Sequence, residues 1–170
     1  MPSIVLIGAP GCGKSSIGKI LASFLQVSFT DTDSAISAEQ KSTISEIFAR
    51  VGEAGFREIE RSVVLHALAT NNGVVALGGG SVLSKEIRQE LQSPRHQVIF
   101  LEVSLSNAVN RIGRSNDRPL LVVDPAKKWS ELVRDRLAMY QECADHTVST
   151  NNTKPTQVAT KIMTYLSKDN

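Results

Sequence analysis

A chain of 170 residues with 21% charged residues and a net charge of +2 has the size of one domain with a substantial core. It carries no basic field that would point to nucleic acid. No apolar run approaches the ~18 residues of a membrane span, and Met1-Pro2-Ser3 leads into an apolar stretch without a charged leader, so neither a signal peptide nor a membrane partner is expected.

Ile4 to Ile7 is an apolar run that stops at Gly8, as a buried parallel strand would. Gly8-Ala9-Pro10-Gly11-Cys12-Gly13-Lys14-Ser15 then matches G-x-x-x-x-G-K-[ST], and Ile17, Ile20, Leu21, Phe24 and Leu25 follow at the spacing of an amphipathic helix. A match between a strand and a helix predicts a P-loop, whose backbone N–H groups curl around phosphate oxygens at a helix N-terminus. Lys14 would reach the β- and γ-phosphates and the Ser15 hydroxyl would hold Mg²⁺. The chain is therefore expected to bind a nucleoside triphosphate.

Strands are predicted at 3–7, 27–30, 73–77, 97–102 and 146–149, and helices at 14–25, 33–40, 43–51, 53–71, 84–92, 105–113, 129–144 and 155–167. This alternation predicts an α/β sheet covered on both faces. Three helical segments in a row, from 33 to 71, exceed what a crossover needs and predict a second site beside the nucleotide. Residues 114–127 lack periodicity and contain Pro119 and Pro125, and a loop of that length is usually functional or disordered. Cys12, inside the phosphate loop, and Cys143 form no metal-spaced pair and are expected as reduced thiols in a cytoplasmic protein.

Several residues outside the P-loop could carry chemistry. Asp31 and Asp33 follow the second strand, where ligands of open parallel sheets bind. One could orient magnesium waters and the other accept a hydroxyl proton, or either could cap the next helix. Arg57 lies three residues before Glu60: exposed, the pair would mean little, but facing a cleft it would be an anion clamp. Arg136 falls within the apolar stripe Trp129, Leu132, Val133, Leu137 and Tyr140, where a charge needs a carboxylate or an anionic ligand or must snorkel to the surface. Gly78, Gly79 and Gly80 end the third strand; they suit either a close ligand approach with N–H groups free to donate or a flexible turn. Arg118 is either an arginine finger supplied in cis or a solvated loop residue. His66, His96 and His146 show neither zinc spacing nor triad logic.

Together, Gly8 to Ser15, Asp31-Thr32-Asp33, Gly55-Phe56-Arg57-Glu58-Ile59-Glu60, Gly78 to Gly80, Arg118-Pro119-Leu120-Leu121 and Arg136-Leu137-Ala138-Met139-Tyr140 resemble the shikimate kinase family, in order and over essentially the whole chain. The resemblance implies a single kinase domain over 1–170 with the fold of nucleoside monophosphate kinases. The parallel strands would run in the order 2-3-1-4-5, with a substrate-binding insertion at about 31–61 and a lid at about 113–126. It implies γ-phosphoryl transfer from ATP, with Mg²⁺, to the 3-hydroxyl of shikimate by a monomer.

By the same resemblance, Gly11, Cys12, Gly13, Lys14, Ser15 and Ser16 cradle the phosphates, and Asp31 belongs to the outer magnesium environment. Asp33 contacts the reacting hydroxyls, Arg57 and Arg136 with the Gly79 backbone hold the carboxylate, and Glu60 supports Arg57. Lys14, Asp33 and Arg118 take the catalytic roles. Arg111 lies where the family packs a side chain on adenine, with Lys154 and Pro155 nearby. Ser16 and Cys12 replace a threonine and a serine common in the family, and Asn151 to Pro155 lack an arginine that relatives often place there, so a looser base preference is expected. Another small-metabolite kinase, such as gluconate kinase, is the nearest alternative, but it would not be expected to keep both Arg57 and Arg136. A GTPase would need D-x-x-G and N-K-x-D, which do not occur.

Overall fold

The computed structural model describes residues 2–112 and 124–167. Its centre is β1 (Ser3–Ile7), buried at every position. β2 (Phe29–Asp31), β3 (Val74–Ala76), β4 (His96–Glu102) and β5 (His146–Ser149) complete a five-stranded parallel sheet in the order β2-β3-β1-β4-β5. The order reverses at β1, so the crevice beyond its carboxyl end is the place where such sheets bind ligands.

Successive residues of β1 point to opposite faces, and the core divides accordingly. On one face Ile4 and Leu6 share a cluster with Ile17 and Leu21 of α1 (Lys14–Leu25) and with Val158 and Ile162 of α7 (Pro155–Leu166). On the other, Val5 and Ile7 meet Val64 and Leu68 of α3 (Ile44–Thr70), Ile87 of α4 (Lys85–Leu91) and Tyr140 of α6 (Pro125–Cys143). α5 (Leu105–Ile112) adds Ala108 and Ile112 to the first face. No helix among the described residues is long and apolar enough to cross a membrane.

Between β2 and β3, α2 (Thr32–Gln40) and α3 carry a small core of their own: Ile36, Ile47, Phe56 and Val63. Thr43 starts α3 with a capping box, accepting from the Glu46 amide while the Glu46 carboxylate accepts from the Thr43 amide. The two helices predicted at 43–51 and 53–71 are one run broken at Gly52, whose φ of 71° and ψ of −179° suit a residue without Cβ.

Other boundaries shift for local reasons. β2 begins at Phe29 rather than 27, because the Val27 amide still donates to the Ala22 carbonyl (3.0 Å) beyond the left-handed Gln26 cap of α1. α6 begins four residues before the predicted 129: Asp124 accepts from the Lys127 amide and Pro125 takes the first turn. Pro125 and Ala126, expected in the lid, are therefore helical. A 3-10 turn at Ser81–Leu83 was not expected.

At the amino end of the sheet, away from the P-loop, Ser3 Oγ lies 2.6 Å from His96 Nδ1, and His96 Nε2 lies 3.0 Å from Glu90 Oε1. Nothing in the residue pattern pointed to this row. Ser3 and His96 are both buried, which fits a structural polar pair tying β1 to β4.

Candidate active site

The P-loop joins β1 to α1 as expected, and Gly13 caps α1 in the left-handed region with φ 95°. Lys14 lies across the loop: its Nζ donates to the Gly8 carbonyl at 2.8 Å and the Ala9 carbonyl at 3.2 Å, and is 3.5 Å from Cys12 Sγ. Cys12 is fully buried, whereas Ser15 and Ser16 are exposed at the first turn of α1. Asp31 closes β2 and serves two neighbours. Its Oδ1 accepts from the amides of Asp33 and Ser34, capping α2, and its Oδ2 accepts from the Ser15 hydroxyl. The capping reading is thus correct for Asp31, and the cap leaves one carboxylate oxygen at the P-loop.

A cavity of ≈ 870 Å³ opens beside this corner, and Ser15, Asp33, Arg57, Glu60, Gly79 and Arg136 all line it. Arg57 and Glu60 form the ion pair their spacing allows, 2.6 Å apart, with the Glu60 side chain only 3% exposed. The other Glu60 oxygen accepts from Ser81 Oγ at 2.9 Å. Glu60 is thus buried with both oxygens bound, so it fixes Arg57 on the cavity wall rather than forming a surface pair. Glu53 adds a second contact to Arg57 at 3.5 Å, and Arg57 Nε is buried with no hydrogen-bond partner among the described residues.

Arg136, 8% exposed, makes no ion pair among the described residues; its Nη1 donates to the Gly79 carbonyl at 3.2 Å. Burial, with Arg57 nearby, holds its guanidinium below the ordinary arginine value, while Tyr140 and Glu60 pull the other way. An anion arriving here would meet two guanidinium groups in partly desolvated surroundings.

The glycine turn fits closely among these groups. A Cβ at Gly78 would lie 2.5 Å from Asp33 Oδ1 and 2.9 Å from Glu60 Oε1, and one at Gly80 would collide with the Arg57 guanidinium. The Gly78 amide, expected to be free to donate, instead bonds to Thr32 Oγ1 at 3.0 Å. What Gly78 supplies is room for two carboxylates.

On the far side of the P-loop, Arg111 Nη1 donates to the Gly11 carbonyl (3.2 Å) and to Thr150 Oγ1 (3.1 Å), and its Nη2 to the Thr150 carbonyl (2.7 Å). This ties α5 to the segment after β5, where Lys154 and Pro155 start α7. Arg118 and residues 113–123 of the expected lid lie outside the described residues.

In the sequence Trp129 and Tyr140 belong to the apolar stripe of α6, and Tyr140 also closes the Arg136-to-Tyr140 segment of the family resemblance, with no polar contact expected of either. Trp129 Nε1 donates to the Pro10 carbonyl at 2.9 Å and the Tyr140 hydroxyl to the Gly79 carbonyl at 2.5 Å. A buried aromatic with a polar tip needs such a partner, and the four-residue spacing of Arg136 and Tyr140 places both on one helix face.

The family model described as shikimate kinase matches residues 10–167. The chain belongs to the shikimate kinase family. A shikimate kinase of Thermobifida fusca is 44% identical over 158 residues, covering 93% of this chain and 91% of that protein. One from Rhodococcus erythropolis is 44% identical and covers 97% of each. Among solved structures, a shikimate kinase from Acinetobacter baumannii in complex with shikimate superposes with a TM-score of 0.95 at 33% identity, covering 99% of this chain and 94% of that one. The shikimate kinase from Aquifex aeolicus superposes at 0.84 with 28% identity, over 98% and 97%. The observed strand order is the one the family resemblance implied.

Proposed function

We infer that the protein is a shikimate kinase, transferring the γ-phosphoryl group of ATP to the 3-hydroxyl of shikimate and releasing ADP. Within the family, the observation that carries the choice of acceptor is the joint lining of one cavity by Ser15, Asp33, Arg57 and Arg136. Shikimate is a small ring with one carboxylate and several hydroxyls, so it needs guanidinium forks at one end and a carboxylate acceptor at the other.

In this reading Arg57 and Arg136, with the Gly79 turn, hold the carboxylate, and Glu60 keeps Arg57 in place. Asp33 binds the ring hydroxyls and accepts the proton of the attacking one. Lys14 exchanges its bonds to the Gly8 and Ala9 carbonyls for phosphate oxygens, alongside the amides of Gly11 to Ser16. Arg118 is assigned, from the sequence, to the transferring phosphoryl group, whose charge spreads over its equatorial oxygens, and residues 113–124 to a lid that excludes water. Arg111, with Lys154 and Pro155, is assigned to adenine, and residues 31–61 to a substrate-binding insertion within a single kinase domain.

Ser15 and Asp31 offer hard oxygen donors of the type Mg²⁺ takes. Among the described residues no cluster of three His, Cys, Asp or Glu side chains could hold a metal ion. Mg²⁺ would therefore be held by the Ser15 hydroxyl together with phosphate oxygens and water, with Asp31 in its outer sphere, and would neutralise phosphate charge. A cytoplasmic monomer completes the proposal.

Coupled ADP release over an acceptor panel tests it. Shikimate should be phosphorylated far faster than gluconate, AMP or UMP, and little ADP should form without an acceptor. Equal rates on gluconate, or hydrolysis indifferent to any acceptor, would overturn the assignment.

A further inference from the structure

The Tyr140 hydroxyl lies 2.5 Å from the Gly79 carbonyl, the same oxygen that accepts from Arg136 Nη1. The phenol ring is 1% exposed and stacked on Phe100 of β4, with centroids 5.2 Å apart and planes 16° from parallel, so the hydroxyl is delivered by a ring with little freedom to move. Burial pushes the phenol above its ordinary pKa, against the opposing pull of Arg136, which favours the neutral, donating form. The P-loop leaves little room for a side chain at Gly79, since a Cβ there would lie 3.2 Å from Pro10 Cδ. The turn therefore runs close to Pro10 and is bonded to α6 through Arg136 and Tyr140.

We propose that Tyr140 is a positioning residue for acceptor binding: by occupying one lone pair of the Gly79 carbonyl, it leaves the Arg136 guanidinium oriented to clamp the acceptor carboxylate. A carbonyl oxygen has two lone pairs, and here two donors share them. Without the hydroxyl, Arg136 is, among the described residues, the one side-chain donor left to this half-buried oxygen, and an acceptor partly withdrawn from water is costly to leave under-bonded. The guanidinium is then drawn onto Gly79 and turned from the incoming carboxylate. The same hydroxyl also orients the Gly79–Gly80 peptide, because the carbonyl and N–H of a trans peptide point in opposite directions.

The inference rests on the proposed phosphotransfer to shikimate, and Tyr140→Phe tests it, since phenylalanine keeps the ring and its stacking. The KM for shikimate should rise about tenfold, the scale of one lost hydrogen bond. The KM for ATP should stay within about twofold and kcat within about threefold, well below that scale. The carboxamide of shikimate, which carries no charge to clamp, should be handled alike by wild type and variant. A folded variant with unchanged shikimate KM, or with ATP and shikimate weakened equally, overturns the proposal. If the phenylalanine variant does not fold, 4-aminophenylalanine at position 140 carries the test: it retains a donor and should bind shikimate within about threefold of wild type, whereas a tenfold loss would overturn the role. Wild type that does not phosphorylate shikimate overturns the functional reading as well; wild type that does, with an indifferent variant, removes only the role of Tyr140.

Discussion

The phosphate loop takes its donors from consecutive residues, Gly8 to Ser15, whereas the acceptor wall collects Asp33, Arg57, Gly79 and Arg136 from α2, α3, the turn after β3 and α6. In the proposed function the first half works mainly through backbone amides and needs glycines at fixed spacing. The second would work through side chains, each of which is braced: Arg57 by Glu60, Arg136 at the Gly79 carbonyl, Gly79 by Tyr140. A damaged brace should therefore affect one substrate and spare the other, and variants can test whether the halves are that separate.

The largest effect is expected at Asp33. Asp33→Asn removes the proposed proton acceptor at nearly constant shape, and kcat should fall about 10³-fold, within the usual general-base range. Calorimetric ATP affinity should be nearly unchanged, because the phosphates are assigned to the P-loop. Loss of ATP binding in this variant would place Asp33 in the nucleotide half and break the division.

The same contrast explains what the sequence disclosed. A P-loop is a local object, so its residues, its strand and its helix were legible at once, and the alternation of elements predicted the sheet. Arg57 and Glu60 were legible as a pair because a helix places i and i+3 together, yet only the fold buries Glu60 and sets the pair on the cavity wall. The Gly78 amide was misread because its partner, Thr32, is 46 residues away and belongs to a different element. Tyr140 and Trp129 were hidden by their own burial: their rings fit an apolar stripe, and periodicity says nothing about where a hydroxyl or an indole N–H is aimed. The β2 boundary slipped because an αL cap after α1 follows from backbone geometry at Gln26, a residue with no particular preference for it.

The two arginines should give the next effect. Arg57→Ala and Arg136→Ala should each weaken shikimate by about 1.5–3 kcal/mol, the range for a hydrogen bond to a charged group, with the KM for ATP little changed. Lysine should rescue neither, because a point charge does not reproduce the planar fork. Glu60 sharpens the distinction between them, since it pairs with Arg57 alone at 2.6 Å: Glu60→Gln should mimic much of Arg57→Ala, and add little once Arg57 is gone. Wild type that handles the carboxamide of shikimate as well as the acid would show that neither arginine grips the carboxylate.

The smallest effect is expected where the halves meet. Asp31 spends one oxygen on the amides of Asp33 and Ser34 and the other on the Ser15 hydroxyl, so it caps the first helix of the acceptor side while facing the proposed magnesium site. Asp31→Asn separates the two tasks. Asparagine caps a helix about as well as aspartate, so α2 and the position of Asp33 should survive, with Tm close to that of wild type. The negative charge beside Ser15 is lost, however, and changes beyond the direct ligands of a metal typically cost about 10–100-fold in affinity. Because phosphate oxygens and water would supply most of the Mg²⁺ shell, the lower end is expected: about a tenfold higher Mg²⁺ concentration for half-maximal rate, with the shikimate KM at saturating Mg²⁺ unchanged. Titration of activity with Mg²⁺ at fixed ATP, beside a thermal melt without nucleotide, reads both quantities. A lower Tm with an unaltered Mg²⁺ requirement would leave Asp31 as a cap alone. A shikimate KM that rose in parallel with the Mg²⁺ requirement would show that the two halves of the cavity are coupled through this one carboxylate.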